Sequence, residues 1–279
     1  VAEATDNNFQ IQVFAGGEII PPLAVLDSVQ NGTVECAHTA PYYFYGKDET
    51  FSIDCAIPFG LNSRQMSAWM YEGNGMKLMR EFYAKYNIVN FACGNTGAQM
   101  GGWFRKPIKS LADLKGLKMR TAAKYDKMML KLGMVPVTVQ FGETYTALQR
   151  GVVDGFGWPT IGPKEWGWLE FAKYVIDIPF YTRQNTFILM NLDTFNKLPK
   201  PVQEKLVAIS AKYEPEMQAY FEKQIEAEKK EMEKLGVQRI KFSDADTKKY
   251  LAAASDAFWE DLEKKAPEET KALKKLLGY

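Results

Sequence analysis

The sequence predicts an α/β protein of two lobes joined by hinge strands and a long interlobe helix, on three observations. The chain of 279 residues exceeds the usual size of one hydrophobic core. Strand and helix signals alternate through the first two thirds, the grammar of α/β layers with parallel strands. A unit of helix, terminal glycine, strand and later proline occurs twice: Val29-Gln30-Asn31-Gly32 leads to Pro41, and Leu148-Gln149-Arg150-Gly151 leads to Pro159. No low-complexity linker separates these units, so folded elements must join the lobes. Two lobes on related plans would turn the carboxyl ends of their strands toward a shared cleft, where ligands bind in open α/β sheets.

Taken in order, Val1 to Thr5 reads as the tail of a helix running into a strand, Phe9 to Phe14, which implies that the sequence starts late. After Gly16-Gly17, Pro21 or Pro22 starts a helix that Gly32 stops, with Leu23, Leu26 and Val29 on one face. A strand from about Val34 to Thr39 follows, then an aromatic loop and short helix from Pro41 to Gly46. Ile88 to Ala92 is an apolar strand ending in the glycine- and amide-rich stretch Cys93 to Gly102. The second unit runs through strand Leu117 to Arg120, helix Tyr125 to Leu132 closed by Gly133, strand Val135 to Gln140, helix Glu143 to Arg150 and strand Val152 to Gly155. Phe187 to Asn191 is a buried strand. Lys200 to Leu235 is a charged helix, supported by Glu226 with Lys229 and Lys230, that Gly236 stops and Pro215 should kink or break. Strand Val237 to Phe242, a helix capped by Ser243 and a terminal pair of turns after Pro267 complete the chain.

Composition excludes several function classes. Hydrophobic residues at 46% and charged residues at 25% describe a packed globular chain rather than a disordered one. A formal net charge of +1, with no basic cluster interleaved with aromatics, argues against a nucleic-acid partner. No apolar run approaches the roughly 20 residues that span a bilayer. Cys36, Cys55 and Cys93 are too scattered for a disulfide framework or a zinc site and read as small buried hydrophobes. His38 is the only histidine, which weakens every His-based metal cluster, triad or dyad.

The chemistry-bearing candidates lie at strand ends. Arg120 closes a strand and can present its fork of donors to a carboxylate in the cleft, or else form an ordinary salt bridge. Trp158 follows another strand end within Gly155-Phe156-Gly157-Trp158-Pro159, where glycines admit close approach and an indole can wall a cavity with one polar edge; a core aromatic is the alternative. Gln99 sits in a turn that fits neither a dinucleotide fingerprint nor a phosphate-binding loop, and can bond a ligand oxygen or cap backbone. Tyr42 and Tyr43 line the pocket or pack in the core. Phe156 and Gln184 complete the ligand-binding set, and Arg183 is the next candidate anchor should Arg120 fail. No pair of carboxylates is singled out as acid and base: Glu165 reads as an exposed rim position beside Trp166-Gly167-Trp168, a cluster read as core packing or as a partner-recognition surface.

Several stretches together resemble the solute-binding proteins of tripartite ATP-independent periplasmic (TRAP) transporters, across essentially the whole chain. Asp113-Leu114-Lys115-Gly116-Leu117-Lys118-Met119-Arg120 and Tyr145-Thr146-Ala147-Leu148-Gln149-Arg150-Gly151-Val152-Val153-Asp154-Gly155 resemble the family at large. Gly94-Asn95-Thr96-Gly97-Ala98-Gln99-Met100-Gly101-Gly102-Trp103-Phe104, His38-Thr39-Ala40-Pro41-Tyr42-Tyr43 and Ala56-Ile57-Pro58-Phe59-Gly60-Leu61-Asn62 resemble its 2-oxo acid and monocarboxylate subgroup. The resemblance implies a two-lobed periplasmic binding protein fold lacking its first strand and most of its first helix, with Arg120 pairing the substrate carboxylate, Gln99 a pocket glutamine, and Trp158 a subgroup marker. Subgroup members also hold a metal ion through a carboxylate beside that tryptophan. Here the neighbour is Gly157, so no cofactor is expected where relatives hold sodium or calcium. With Phe156, this points to a larger and more apolar ligand.

The leading function is therefore capture without chemistry: a periplasmic protein closes over a small organic carboxylate and presents it to the permease subunits of a TRAP transporter. An enzyme acting on a carboxylate in the same cleft, or a protein presenting ligand to a sensor, are the alternatives; no nucleophile with a base and no cofactor motif supports the first. Lobe I is expected over 1–97 and 186–225, lobe II over 98–185 and 226–279, and a homodimer is compatible with the resemblance.

Overall fold

The computed structural model describes residues 1–55, 57, 60–121, 125–178, 184–265, 267, 270, 271 and 274. Its strands are β1 (Cys36–Thr39), β2 (Ile88–Asn95), β3 (Trp103–Phe104), β4 (Lys118–Arg120), β5 (Val135–Val137), β6 (Gly155–Phe156), β7 (Tyr174–Ile176), β8 (Asn185–Asn191) and β9 (Gln238–Ile240). They form two sheets, one per lobe, ordered β1-β8-β2 and β5-β4-β6-β3-β7-β9. The helices are α1 (Val25–Gln30), α2 (Ser63–Ser67), α3 (Gly75–Ala84), α4 (Asp126–Lys131), α5 (Thr144–Gln149), α6 (Leu192–Lys197), α7 (Lys200–Lys234) and α8 (Asp244–Lys265). The expected turns after Pro267 lie largely outside the described residues.

In the first sheet β8 runs antiparallel to both β1 and β2, against the parallel pairing read from the alternation of helix and strand. The reason is the route of the chain. β2 leaves this lobe and β8 returns to it beside β2, so the pair must oppose each other. Both strands are buried almost end to end, as expected when both faces are covered. Phe187 and Leu189 face a core with Leu26, Val29, Phe51 and Tyr83. Ile188 and Met190 face a second core with Val89, Phe91 and Leu206. The second sheet is mixed: β4 is parallel to β5 and β6, β7 is parallel to β9, and the short β3 runs antiparallel between β6 and β7.

The helix stops read from sequence sit where glycine is needed. Gly32 and Gly151, at the ends of the two related units, have φ of 77° and 69°, a conformation that costs other residues. Ser243 caps α8 by accepting from the Asp246 N–H at 3.2 Å. One expected strand is absent. Phe9 to Phe14 forms no strand, and Val13 is 86% exposed. Strand backbone needs a neighbour to receive its hydrogen bonds, and this segment has none among the described residues. Pro215 does not break α7, which is one helix with the proline inside it. The turns on either side of that proline are held by packing: Leu206 and Glu214 are buried, and Met217 and Phe221 lie against Gly94.

α7 would span about 52 Å at the usual helical rise. Leu206 near its start belongs to a core of the first sheet, and Met232 near its end to a core of the second with Trp103, Phe156 and Trp168. The helix therefore bridges the lobes, beside the crossing stretches where Thr96 N–H donates to the Gln184 carbonyl at 3.0 Å. It comes close because Gly97 has no side chain: a Cβ there would overlap Ile225.

The tightest glycine is Gly155, where an added Cβ would collide with the Trp103 carbonyl of the adjacent strand. Backbone cannot yield, so Gly155→Ala should destabilise the fold by about 1–3 kcal/mol or more. Gly142→Ala, facing open space, should stay within about 0.5 kcal/mol. Urea unfolding of both variants measures the contrast, and similar midpoints would refute it.

Candidate ligand-binding site

Arg120 ends β4 and is only 4% exposed. Its Nε donates to the Val139 carbonyl at 3.3 Å, and its guanidinium lies 5.0 Å from the centre of the Trp158 ring. The ion pairs among the described residues do not include it. A buried charge left without a counter-charge is costly, and a planar fork with its outer nitrogens unspent is the natural partner of a carboxylate. The salt-bridge alternative finds no support among the described residues.

Trp158 is fixed at both ends. Its carbonyl accepts from Trp103 Nε1 at 2.9 Å, and its own Nε1 donates to the Ile161 carbonyl at 3.1 Å. The polar edge that sequence assigned to the cavity is thus spent within its own turn, and what the indole offers is its face. Phe141, Trp166 and Trp168 hold that ring from 5.8, 5.2 and 5.2 Å. A guanidinium on an indole face gains from the ring quadrupole, more so out of water. The cluster Trp166-Gly167-Trp168 is packing, with Trp168 fully buried, and Glu165 is exposed.

Gln99 is 2% exposed, forms a β-bridge with Pro159, and has an Nε2 without a hydrogen-bond partner. A Cβ built on Gly157 would stand 3.4 Å from that nitrogen, so the amide faces the glycine. The Gly157 N–H donates to the Arg120 carbonyl at 2.9 Å. Arg120, Gln99, Gly157 and Trp158 are thereby gathered at the ends of β4 and β6. Phe156, paired with Arg120 in the sheet, is 0% exposed; its ring stacks on Trp103 at 5.9 Å and meets Trp168 edge-on at 5.0 Å, in the core beneath the site.

A second group centres on Tyr125, which sequence analysis placed only at a helix start. Gln184 Nε2 donates to the Tyr125 hydroxyl, Tyr125 meets Tyr42 edge-on at 6.1 Å, and Tyr42 and Tyr43 lie 4.6 Å apart. Burial, aided by the phenols of Tyr43 and Tyr125, pushes the Tyr42 pKa well up, so it stays a neutral donor. The Asn95 carboxamide oxygen ties the two groups together, accepting from Gly97 N–H at 2.8 Å and from Gln184 N–H at 3.2 Å. Asn95 lay within a quoted motif; for Tyr125 no local signal existed, since its partners are distant in sequence. Arg183 lies outside the described residues.

Comparison with known proteins matches this arrangement to a family. Residues 1–265 match the bacterial extracellular solute-binding proteins, family 7. A monocarboxylate 2-oxoacid-binding periplasmic protein of Nostoc sp. (strain PCC 7120) is 44% identical over 208 residues, 73% of this chain but only 57% of that protein. A TRAP transporter solute-binding protein of Bordetella bronchiseptica RB50, a mixed-occupancy dimer with copurified calcium and picolinate in one active site and the other apo, has a TM-score of 0.88 at 34% identity, covering 98% of this chain and 81% of that one. One from Pseudoalteromonas atlantica T6c, with bound sodium and pyruvate, has a TM-score of 0.87 at 29% identity, covering 99% and 84%. The two-lobed chain belongs to the bacterial extracellular solute-binding proteins of family 7.

Proposed function

We propose that this chain is the periplasmic solute-binding component of a TRAP-type transporter. It holds a small monocarboxylate of the 2-oxo, 2-hydroxy or aromatic kind between its lobes and delivers it to the membrane permease. The observation that carries this reading is Arg120, buried, stacked on Trp158 and without a carboxylate partner among the described residues. The groups gathered there are a guanidinium, amides and phenols, which hold an anion; a nucleophile paired with a base is not among them. Capture rather than conversion follows, with ligand contacts favouring the closed form. The reading places lobe I over 1–97 and 186–225 and lobe II over 98–185 and 226–279.

The reading includes no resident metal. Arg120 alone neutralises a monocarboxylate, and hard cations take several oxygen ligands, carboxylates foremost. What faces Gly157 is an amide nitrogen, and no group of three or more His, Cys, Asp or Glu gathers among the described residues. On this reading binding at this position does without an ion such as the calcium or sodium of the two structural relatives.

Three outcomes test the proposal. In isothermal titration with pyruvate and with picolinate, Arg120→Ala should weaken binding about a hundredfold or more, from two charged hydrogen bonds of roughly 1.5–3 kcal/mol each. Arg120→Lys should recover only part, keeping the charge and losing the fork; binding by the alanine variant within a few-fold of the parent would move the anchor elsewhere. In excess EDTA the parent should keep its affinity within about twofold, whereas Gly157→Asp, which has room for its Cβ, should become calcium-dependent; affinity lost in chelator and restored by calcium would reject the metal-free site. In a thermal-shift series, pyruvate and picolinate should stabilise the protein more than succinate, whose second charge would be buried unpaired; the reverse order would overturn the monocarboxylate preference.

A further inference from the structure

On the face of the first sheet covered by α7, an open groove of about 410 Å³ is lined by two cations, Arg80 and Lys200, one acid, Glu204, and the apolar Phe195, Val207 and Ala208. Arg80, on α3, is half-buried. Its Nε is enclosed without a hydrogen-bond partner, and its guanidinium lies 5.7 Å from the centre of the Phe91 ring. Phe195 packs edge-on against Phe91 at 5.8 Å, so an aromatic floor runs under the cation. Lys200 donates to the Gln203 amide oxygen at 3.2 Å. Neither cation, nor Glu204, is in any of the ion pairs among the described residues. The buried acid further along α7, Glu214, is bonded by Tyr71.

Burial strips water from the Arg80 guanidinium and lowers its pKa, and nothing described in the fold returns a counter-charge. An arginine braced on an aromatic ring, half-desolvated beside an apolar floor, is the usual make-up of an anchor point in protein–protein contacts. We propose that this groove docks an acidic side chain of a protein partner, with Arg80 as the anchor, Lys200 as the second cation, and Phe195, Val207 and Ala208 receiving an adjoining apolar residue. A free small anion fits less well, because two donors on an open groove leave most of its oxygens in water and the apolar floor unused. The site lies outside the ligand cleft and does not depend on which solute the cleft holds.

The probe is the capped tripeptide acetyl-Leu-Glu-Leu-amide, with acetyl-Leu-Gln-Leu-amide and sodium acetate as controls, titrated at constant ionic strength into protein labelled with ¹⁵N in its arginine side chains. The Arg80 Nε–H signal is identified by its loss in Arg80→Lys. It should shift saturably with the glutamate peptide, at least tenfold more tightly than with the glutamine peptide or acetate, and Lys200→Gln should weaken the response about threefold. Lys200 is exposed, so that variant keeps the test open if Arg80→Lys does not fold. No saturable shift, or an equal response to acetate, overturns the proposal. Pyruvate affinity measured in Lys200→Gln separates this outcome from failure of the cleft reading, since the two sites share no residue.

Discussion

A guanidinium taken out of water must be given something in exchange, and much of the site is arranged around that requirement at Arg120. The sheet fixes its backbone, the Val139 carbonyl takes Nε, and the Trp158 ring covers one face. Each of these is itself held: Trp158 by Trp103 and by its own turn, Trp103 by stacking on Phe156. Among the described residues, what remains unspent is the end of the fork. The guanidinium is thus held in one place by the fold, with the ordering of the side chains around it completed during folding.

The same logic explains how the lobes meet. Two crossing stretches are bonded to each other, one helix spans both cores, and Tyr42 packs on Tyr125, which Gln184 bonds. Close approach between α7 and the crossing stretch rests on Gly94 and Gly97. A helix seated on glycines meets backbone instead of interlocking side chains, a contact that slides more readily than ridges set in grooves.

Legibility in the sequence followed the range of the forces. Helix ends set by glycine at Gly32, Gly133, Gly151 and Gly236, and by the Ser243 cap, are local and were read to within a residue or two. Arg120 at a strand end and the amide-rich turn holding Gln99 were visible for the same reason. Strand direction was not, because burial on both faces gives the same apolar run whichever way a strand lies. At Pro215 the expectation left a kink or a break open, and the helix is unbroken because packing on both sides of the proline outweighs a missing hydrogen bond. Trp158 was found as a residue but its polar edge was misassigned, the partner being a carbonyl whose position depends on the turn geometry. Tyr125 was missed because its contacts, Tyr42 and Gln184, are distant in sequence.

The place of β8 also sets an order of events during synthesis. β1 pairs with nothing else among the described strands, and His38 must wait for Ile188 to find its register. When the ribosome has made β2, the first lobe still lacks its central strand, while the shared core of β3, β4, β6 and β7 is translated in between. The sheet of β1 and β2 is therefore completed after most of the second sheet has been made. Until β8 emerges, the edges of β1 and β2 that it pairs stay open, a condition in which nascent chains need shielding from one another.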